Sequence, residues 1–292
     1  MKIEIVTDQI CELGEGPVWD ASRNEIIWVD ILKGNIHLYS LTQRSLQTFS
    51  MGELIGCVAL CKNDDLVFAS RSGFGLLNRI TGIKTFLHHP ETHLPLNRFN
   101  DGKCDVVGRL WAGSMAIDET FGAGSVYRYD GKNSEKKIKH TTISNGIAWN
   151  ADNTILYYID TPTFEVVSYR FDQMTGNISN KKTILHIPKE EGHPDGMTID
   201  TEGMLWIAHW DGWQITRWNP STGKKLSQIK LPVARVTSCT FGGPELKDLF
   251  ITTARKGLTE EELKNQPLAG ALFVIKDCGH QGLPAFEFND VN

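Results

Sequence analysis

Residues 145–160 read Asn145-Gly-Ile-Ala-Trp149, a polar turn, then Ile155-Leu-Tyr-Tyr-Ile-Asp160, and the same order returns as Asp195-Gly-Met-Thr-Ile-Asp200 before Met204-Leu-Trp-Ile-Ala208. Each copy is a Gly, a short apolar strand, a turn, and a second strand rich in Trp or Tyr. Working outward finds four more copies. Glu15-Gly-Pro-Val-Trp-Asp20 precedes Glu25-Ile-Ile-Trp-Val-Asp30, and Ile55-Gly-Cys-Val-Ala-Leu60 precedes Leu66-Val-Phe-Ala-Ser70. Asp101-Gly-Lys-Cys-Asp105 precedes Arg109-Leu-Trp-Ala-Gly113, and Thr237-Ser-Cys-Thr-Phe241 precedes Asp248-Leu-Phe-Ile-Thr252. A third strand, such as Gly34-Asn-Ile-His-Leu-Tyr39, ends each unit.

The starts at 15, 55, 101, 145, 195 and 237 lie 40, 46, 44, 50 and 42 residues apart. Short strands repeating every ~40–50 residues mark propeller blades, and period-two alternation between Gly, Asn and Asp turns favours strands over helices. The expected fold is all-β, a six-bladed β-propeller, as one domain over residues 1–292. An open β-sandwich predicts no such regularity. Closing the ring removes exposed sheet edges, and Ile3-Glu-Ile-Val6 and Ala285-Phe-Glu-Phe288 are the segments left to complete blades. Leu258 to Leu263 is expected to form one helical turn in a loop.

Composition narrows the partners. The 292 residues are 40% hydrophobic and 22% charged, with a net charge of −5. Without a basic stripe, a nucleic-acid partner is not expected. The start, Met1-Lys-Ile-Glu-Ile-Val6, is too short and too charged for a signal-peptide core, and no apolar stretch nears the ~18–20 residues of a membrane span. Cys57 and Cys61, two of six cysteines, fall on one strand face and read as buried structural thiols. No second Cys/His pair stands at zinc-finger spacing. A reducing, cytoplasmic compartment and a monomer or weak homo-oligomer are expected.

The first strand of each blade lines a propeller's central channel. The residue at the start of the six repeats is Glu15, Ile55, Asp101, Asn145, Asp195 and Thr237. Asp-Gly and Asn-Gly are common turn dipeptides, and one alone signifies little. Three acids and an amide at one repeat phase are different: converging on an axis they repel, and buried unpaired charge is costly. A divalent cation resolves the conflict, and these oxygens are hard ligands suited to Ca²⁺, Mg²⁺ or Mn²⁺, with Zn²⁺ also accepting carboxylates.

Glu15-Gly-Pro-Val-Trp19, Asn97-Arg-Phe-Asn-Asp-Gly-Lys-Cys-Asp105, Ser144-Asn-Gly-Ile-Ala-Trp149 and Pro194-Asp-Gly-Met197 together resemble the senescence marker protein/regucalcin/gluconolactonase family, in order along the whole chain. The resemblance implies a six-bladed propeller with one divalent metal, acting as a lactonase on sugar lactones. It implies metal ligands at Glu15, Asn145 and Asp195, and substrate contacts from Arg98 and Asn100. Asp101 is left near the metal. Two places depart from the pattern: Cys104 stands where a small aliphatic residue is commoner, and in the loop 116–124 the acid contacting substrate matches Asp118 best, with Glu119 adjacent.

Lactone hydrolysis needs an activated water, a stabilised oxyanion and a proton for the leaving alkoxide. A metal polarises the carbonyl and acidifies water, Asp195 is the candidate general base, and Arg98 and Asn100 are the candidate donors. His88, His89 and His93 sit beside Pro90 and Pro95 and read as solvated or lid histidines. His193 and His209 read as hydrogen-bonded structural groups near the mouth, and Trp28, Trp111, Trp149 and Trp206 as core. Two other functions fit the same scaffold: an aryl-ester or phosphotriester hydrolase, and a calcium-binding regulatory protein without turnover. A protein-interaction propeller leaves the convergent acids without a purpose.

Overall fold

The computed structural model describes residues 2–289; residue 1 and residues 290–292 at the ends of the expected domain lie outside them. Six four-stranded antiparallel sheets follow one another around a ring. Their innermost strands are Gly14–Asp20, Ile55–Leu60, Asn97–Cys104, Ser144–Trp149, His193–Ile199 and Val236–Gly242. Each inner strand touches the next, and the sixth touches the first. The six-bladed propeller read from the repeat period is the fold.

Each blade has one strand more than the three read from the sequence. The outermost strands, such as Ser45–Ser50 and Lys224–Lys230, are almost wholly exposed and polar. With neither face buried, they carry no hydrophobic alternation to read. The sixth blade takes its outer strand from the chain start: Ile3–Ile10 pairs antiparallel with Ala271–Ile275. This closes the ring as expected for the first segment. The second segment, 285–288, completes no blade. Phe288 instead forms an isolated parallel bridge to Cys61, and the tail 283–287 lines the channel end opposite the polar cavity described below. The expected helical turn is the helix Glu260–Asn265, started by a capping box between Thr259 and Glu262.

The core fills the seams between blades. Trp28, Trp111, Trp149 and Trp206 are all buried. Trp111 and Trp206 are also tethered: their indole N–H groups donate to Asp105 and Asp200 at 2.8 and 2.9 Å. The same carboxylate oxygens accept from Arg109 and Arg217 Nε, each at 2.7 Å. All six cysteines are buried, and none forms a disulfide among the described residues. No helix of the described residues is long and apolar enough to cross a membrane.

One irregularity recurs in every blade. The pairing of the inner strand with its neighbour slips at Glu15/Val18, Ile55/Cys57, Phe99/Asp101, Asn145/Ile147, Pro194/Met197 and Val236/Ser238. A bulge re-aims side chains and strengthens twist. Here six bulges at one level turn side chains toward the axis. Close approach of adjacent inner strands accompanies them: a Cβ on Gly56 would lie 2.4 Å from the Phe99 carbonyl carbon. Only glycine fits there.

Candidate active site

The bulges of blades one, three, four and five build one cavity of about 370 Å³ at an end of the axis, lined by Glu15, Arg98, Asn100, Asn145 and Asp195 among others. All five are nearly inaccessible to solvent. Thus the structure brings together the residues read as metal ligands and those read as substrate donors.

Hydrogen bonds fix the orientation of the amides. Asn145 Nδ2 donates to Thr161 Oγ1 at 2.7 Å, and that hydroxyl donates onward to the Pro194 carbonyl at 2.8 Å. Asn145 Oδ1 therefore faces away from Thr161 and accepts from Asn100 Nδ2 at 3.1 Å. Asn100 Nδ2 also reaches the Ser144 carbonyl at 2.8 Å, while its Oδ1 accepts from Arg98 Nη1 at 2.7 Å. Arg98 Nη1 is further held by the Phe99 carbonyl at 3.0 Å, which leaves the rest of the guanidinium donors to the cavity.

The electrostatics are those of crowded buried acids. Burial, then Asp195 and Asp101, raise the Glu15 carboxyl well above its ordinary range. Burial, then Asp101, do the same to Asp195. The two carboxyls are within hydrogen-bonding reach of each other. Burial pushes the Arg98 guanidinium down to about 10, opposed by Glu15, Glu119 and Asp195. Two crowded buried carboxyls, beside an amide oxygen held by its own partners, form a set of hard oxygen donors that fits a divalent cation. Among the described residues no cluster of three or more His, Cys, Asp or Glu side chains is arranged for a metal; this set has two acids and an amide.

Asp101 sits elsewhere than its repeat phase promised. The bulge of its strand falls at Phe99/Asp101, whereas that of the fourth blade falls at Asn145/Ile147. Asp101 is therefore the counterpart of Ile147, deeper along the axis. It lines a second cavity of about 330 Å³ at the other end, together with Lys103. Lys103 Nζ donates to the Met197 carbonyl at 3.0 Å. Burial lowers the Lys103 ammonium and raises Asp101, each opposed by the other.

Asp118 is not in the cavity. Its exposed carboxylate accepts from the Thr120 backbone N–H at 3.1 Å and hydroxyl at 2.7 Å, as a turn former does. Glu119 follows in a left-handed conformation, φ +60°, and lines the cavity instead. His193 also lines it, its ring 4.8 Å from that of Phe164. His209 does not; it is buried with Nε2 2.5 Å from Thr216 Oγ1, and burial pushes it down to about 4. Of His88, His89 and His93, His88 ends the outer strand Lys84–His88 of the second blade and pairs with Ser134 Oγ at 2.9 Å, so it is neither solvated nor part of a lid. Thr161 and Lys256 also line the cavity and escape sequence reasoning. Nothing marks Thr161, but Lys256 lies in the long connection 254–270, and long loops in compact folds are often functional.

A ring of six blades around an axial cavity floored by acids, amides and a guanidinium defines a six-bladed propeller with a buried polar axial site. The chain belongs to the SMP-30/Gluconolactonase/LRE-like family, whose model matches residues 13–255. It is 38% identical to regucalcin of Sus scrofa over 99% of this chain and 98% of that one. It is 36% identical to "Putative sugar lactone lactonase YvrE" of Bacillus subtilis over 97% of this chain and 98% of that protein. Among solved structures, the calcium-binding protein regucalcin of Agrobacterium tumefaciens superposes with a TM-score of 0.92 at 26% identity, covering 99% of this chain and 97% of the other.

Proposed function

We propose that the protein is a hydrolase that opens sugar lactones, with one divalent cation, Ca²⁺, Zn²⁺, Mg²⁺ or Mn²⁺, held by Glu15, Asn145 and Asp195. The observation carrying this reading is the meeting of the Glu15 and Asp195 carboxyls beside an Asn145 amide oriented by Thr161 and Asn100. The name of the Bacillus relative supports the substrate class. A cavity of about 370 Å³ suits a single sugar ring.

When bound, the cation supplies Lewis acidity and favours ionisation of water near neutral pH. The protein does the rest. Arg98 donates to ring hydroxyls or to the ester, from a position that its hydrogen bond to Asn100 Oδ1 fixes. The two Asn100 N–H donors are held by Ser144 and Asn145, so Asn100 meets the sugar through its Oδ1, which accepts from a ring hydroxyl. Asp195 takes the proton of the attacking water as its oxygen bonds to the carbonyl carbon, and a proton returns to the ring oxygen as the C–O bond breaks. Glu119 contacts the sugar from the rim, the role expected of Asp118. The buried walls keep bulk water from competing for these donors.

A second reading, calcium binding without turnover, draws on the name of the Agrobacterium structure. Protein stripped with chelator is given D-glucono-1,5-lactone, phenyl acetate or paraoxon with each cation in turn. Cation-dependent acid release from the lactone above that from the others supports the proposal. Ester or phosphotriester turnover alone assigns the rival hydrolase, and tight Ca²⁺ binding without any turnover assigns the binding protein.

A further inference from the structure

Glu119 and Lys256 meet over the axial cavity. Glu119 lies between the second and third strands of the third blade, and Lys256 in the equivalent connection of the sixth. Third and sixth blades are diametrically opposite in a six-membered ring, so contact between these loops must cross the axis. The Lys256 ammonium lies 3.4 Å from the Glu119 carboxylate, and both side chains line the cavity. The pair is therefore a strap across the mouth. It is a weak one: the side chains are 38% and 50% exposed, and such pairs contribute little. The backbone beneath Lys256 is pinned, its N–H donating to the Glu12 carbonyl at 2.9 Å. The ammonium is thus held at the rim with donor capacity to spare.

The charge balance gives that ammonium a purpose. If a divalent cation cancels Glu15 and Asp195, the ionised groups left around the cavity are Arg98 and Lys256 against Glu119, one positive charge in excess. We propose that Lys256 selects lactones carrying a carboxylate at the end remote from the ring ester, as in lactones of aldaric acids. This rests on the lactonase reading and names its substrate class. The substrate carboxylate replaces Glu119 as partner of Lys256, while the ester reaches the axial floor. One ammonium matches one negative charge; a phosphate dianion would meet a single free cation with Glu119 beside it.

The test uses matched rings. D-Glucaro-1,4-lactone and D-glucono-1,4-lactone differ only in the terminal group, carboxylate or hydroxymethyl. The expected wild-type kcat/KM ratio favours the glucaro compound. Lys256→Met should lower that ratio about fivefold, chiefly through KM, and Lys256→Arg should largely restore it. Binding of D-glucarate relative to D-gluconate, measured by calorimetry on Mg²⁺-loaded protein, should fall in parallel. A ratio unchanged by Lys256→Met, or a wild-type preference for the neutral ring, overturns the proposal while leaving the lactonase reading intact. A stronger preference for 6-phospho-D-gluconolactone overturns the carboxylate assignment. Absence of turnover on all lactones overturns both readings.

Discussion

Gly146→Ala tests whether the inner-strand packing sets the geometry of the site. Gly146 sits in the fourth-blade bulge, beside Asn145. A Cβ there would lie 2.8 Å from Met197 Cβ, 2.9 Å from the Asp195 carbonyl oxygen and 2.9 Å from Ile159 Cδ1, whereas real Cβ atoms essentially never approach below 3.0 Å. Relief requires the fourth and fifth inner strands to part by about 0.6 Å, the step from 2.8 Å to the 3.4 Å where ordinary contact begins. Overpacking of this kind costs ~1–3 kcal/mol. Because the strands that part carry Asn145 and Asp195, cation affinity should fall about tenfold, as it does when groups supporting metal ligands are disturbed. Urea denaturation reads the first effect and calorimetric titration with Mn²⁺ the second. Gly203→Ala is the comparison: its φ of +78° makes alanine strained, but its Cβ meets nothing within 4 Å. It should lose stability and keep its affinity. If Gly146→Ala also keeps full affinity, the close strand approach serves folding alone and the positioning argument fails.

Other consequences are equally direct. Asp105→Ala removes the acceptor of the Arg109 guanidinium and the Trp111 indole, leaving a buried charge unpaired; urea midpoints should report a loss of ~3–5 kcal/mol. Burial pushes His37 and His209 from 6.5 down to about 4, so the unfolded chain binds more protons between those values. Their contribution is whole above pH 6.5 and is lost as pH falls toward 4, on the order of 3 kcal/mol each; a His37→Gln, His209→Gln double variant should show a flatter stability profile over that window in urea titrations at stepped pH. Asp118→Ala should leave KM for D-glucono-1,5-lactone within about twofold, whereas Glu119→Ala should raise it severalfold, since only Glu119 lines the cavity. Equal effects of the two would contradict that assignment.

What the sequence makes legible is what repeats. Five Gly-strand-turn-strand units and a sixth that opens Thr237-Ser238, with the apolar inner strands they contain, specify the ring, and the residues before the glycines single out Glu15, Asn145 and Asp195 as candidates. What stays hidden is what does not repeat. Outer strands such as Ser45–Ser50 have no buried face and so no pattern. A bulge leaves no mark on composition, so Asp101 reads as the equivalent of Asn145 until the register at Phe99/Asp101 puts it one layer deeper. One left-handed residue, Glu119, decides which of two neighbouring acids enters the cavity. The family resemblance supplies Arg98 and Asn100, whose hydrogen bond to each other no spacing rule anticipates.

The most direct test of the account is to titrate the chelator-stripped protein with Mn²⁺ while following, on the same samples, bound ion and turnover of D-glucono-1,5-lactone. The account predicts one ion per chain, turnover rising in proportion to occupancy, and both lost together in Asp195→Asn. Turnover in the stripped protein, or a fully occupied site that opens no sugar lactone, would contradict it.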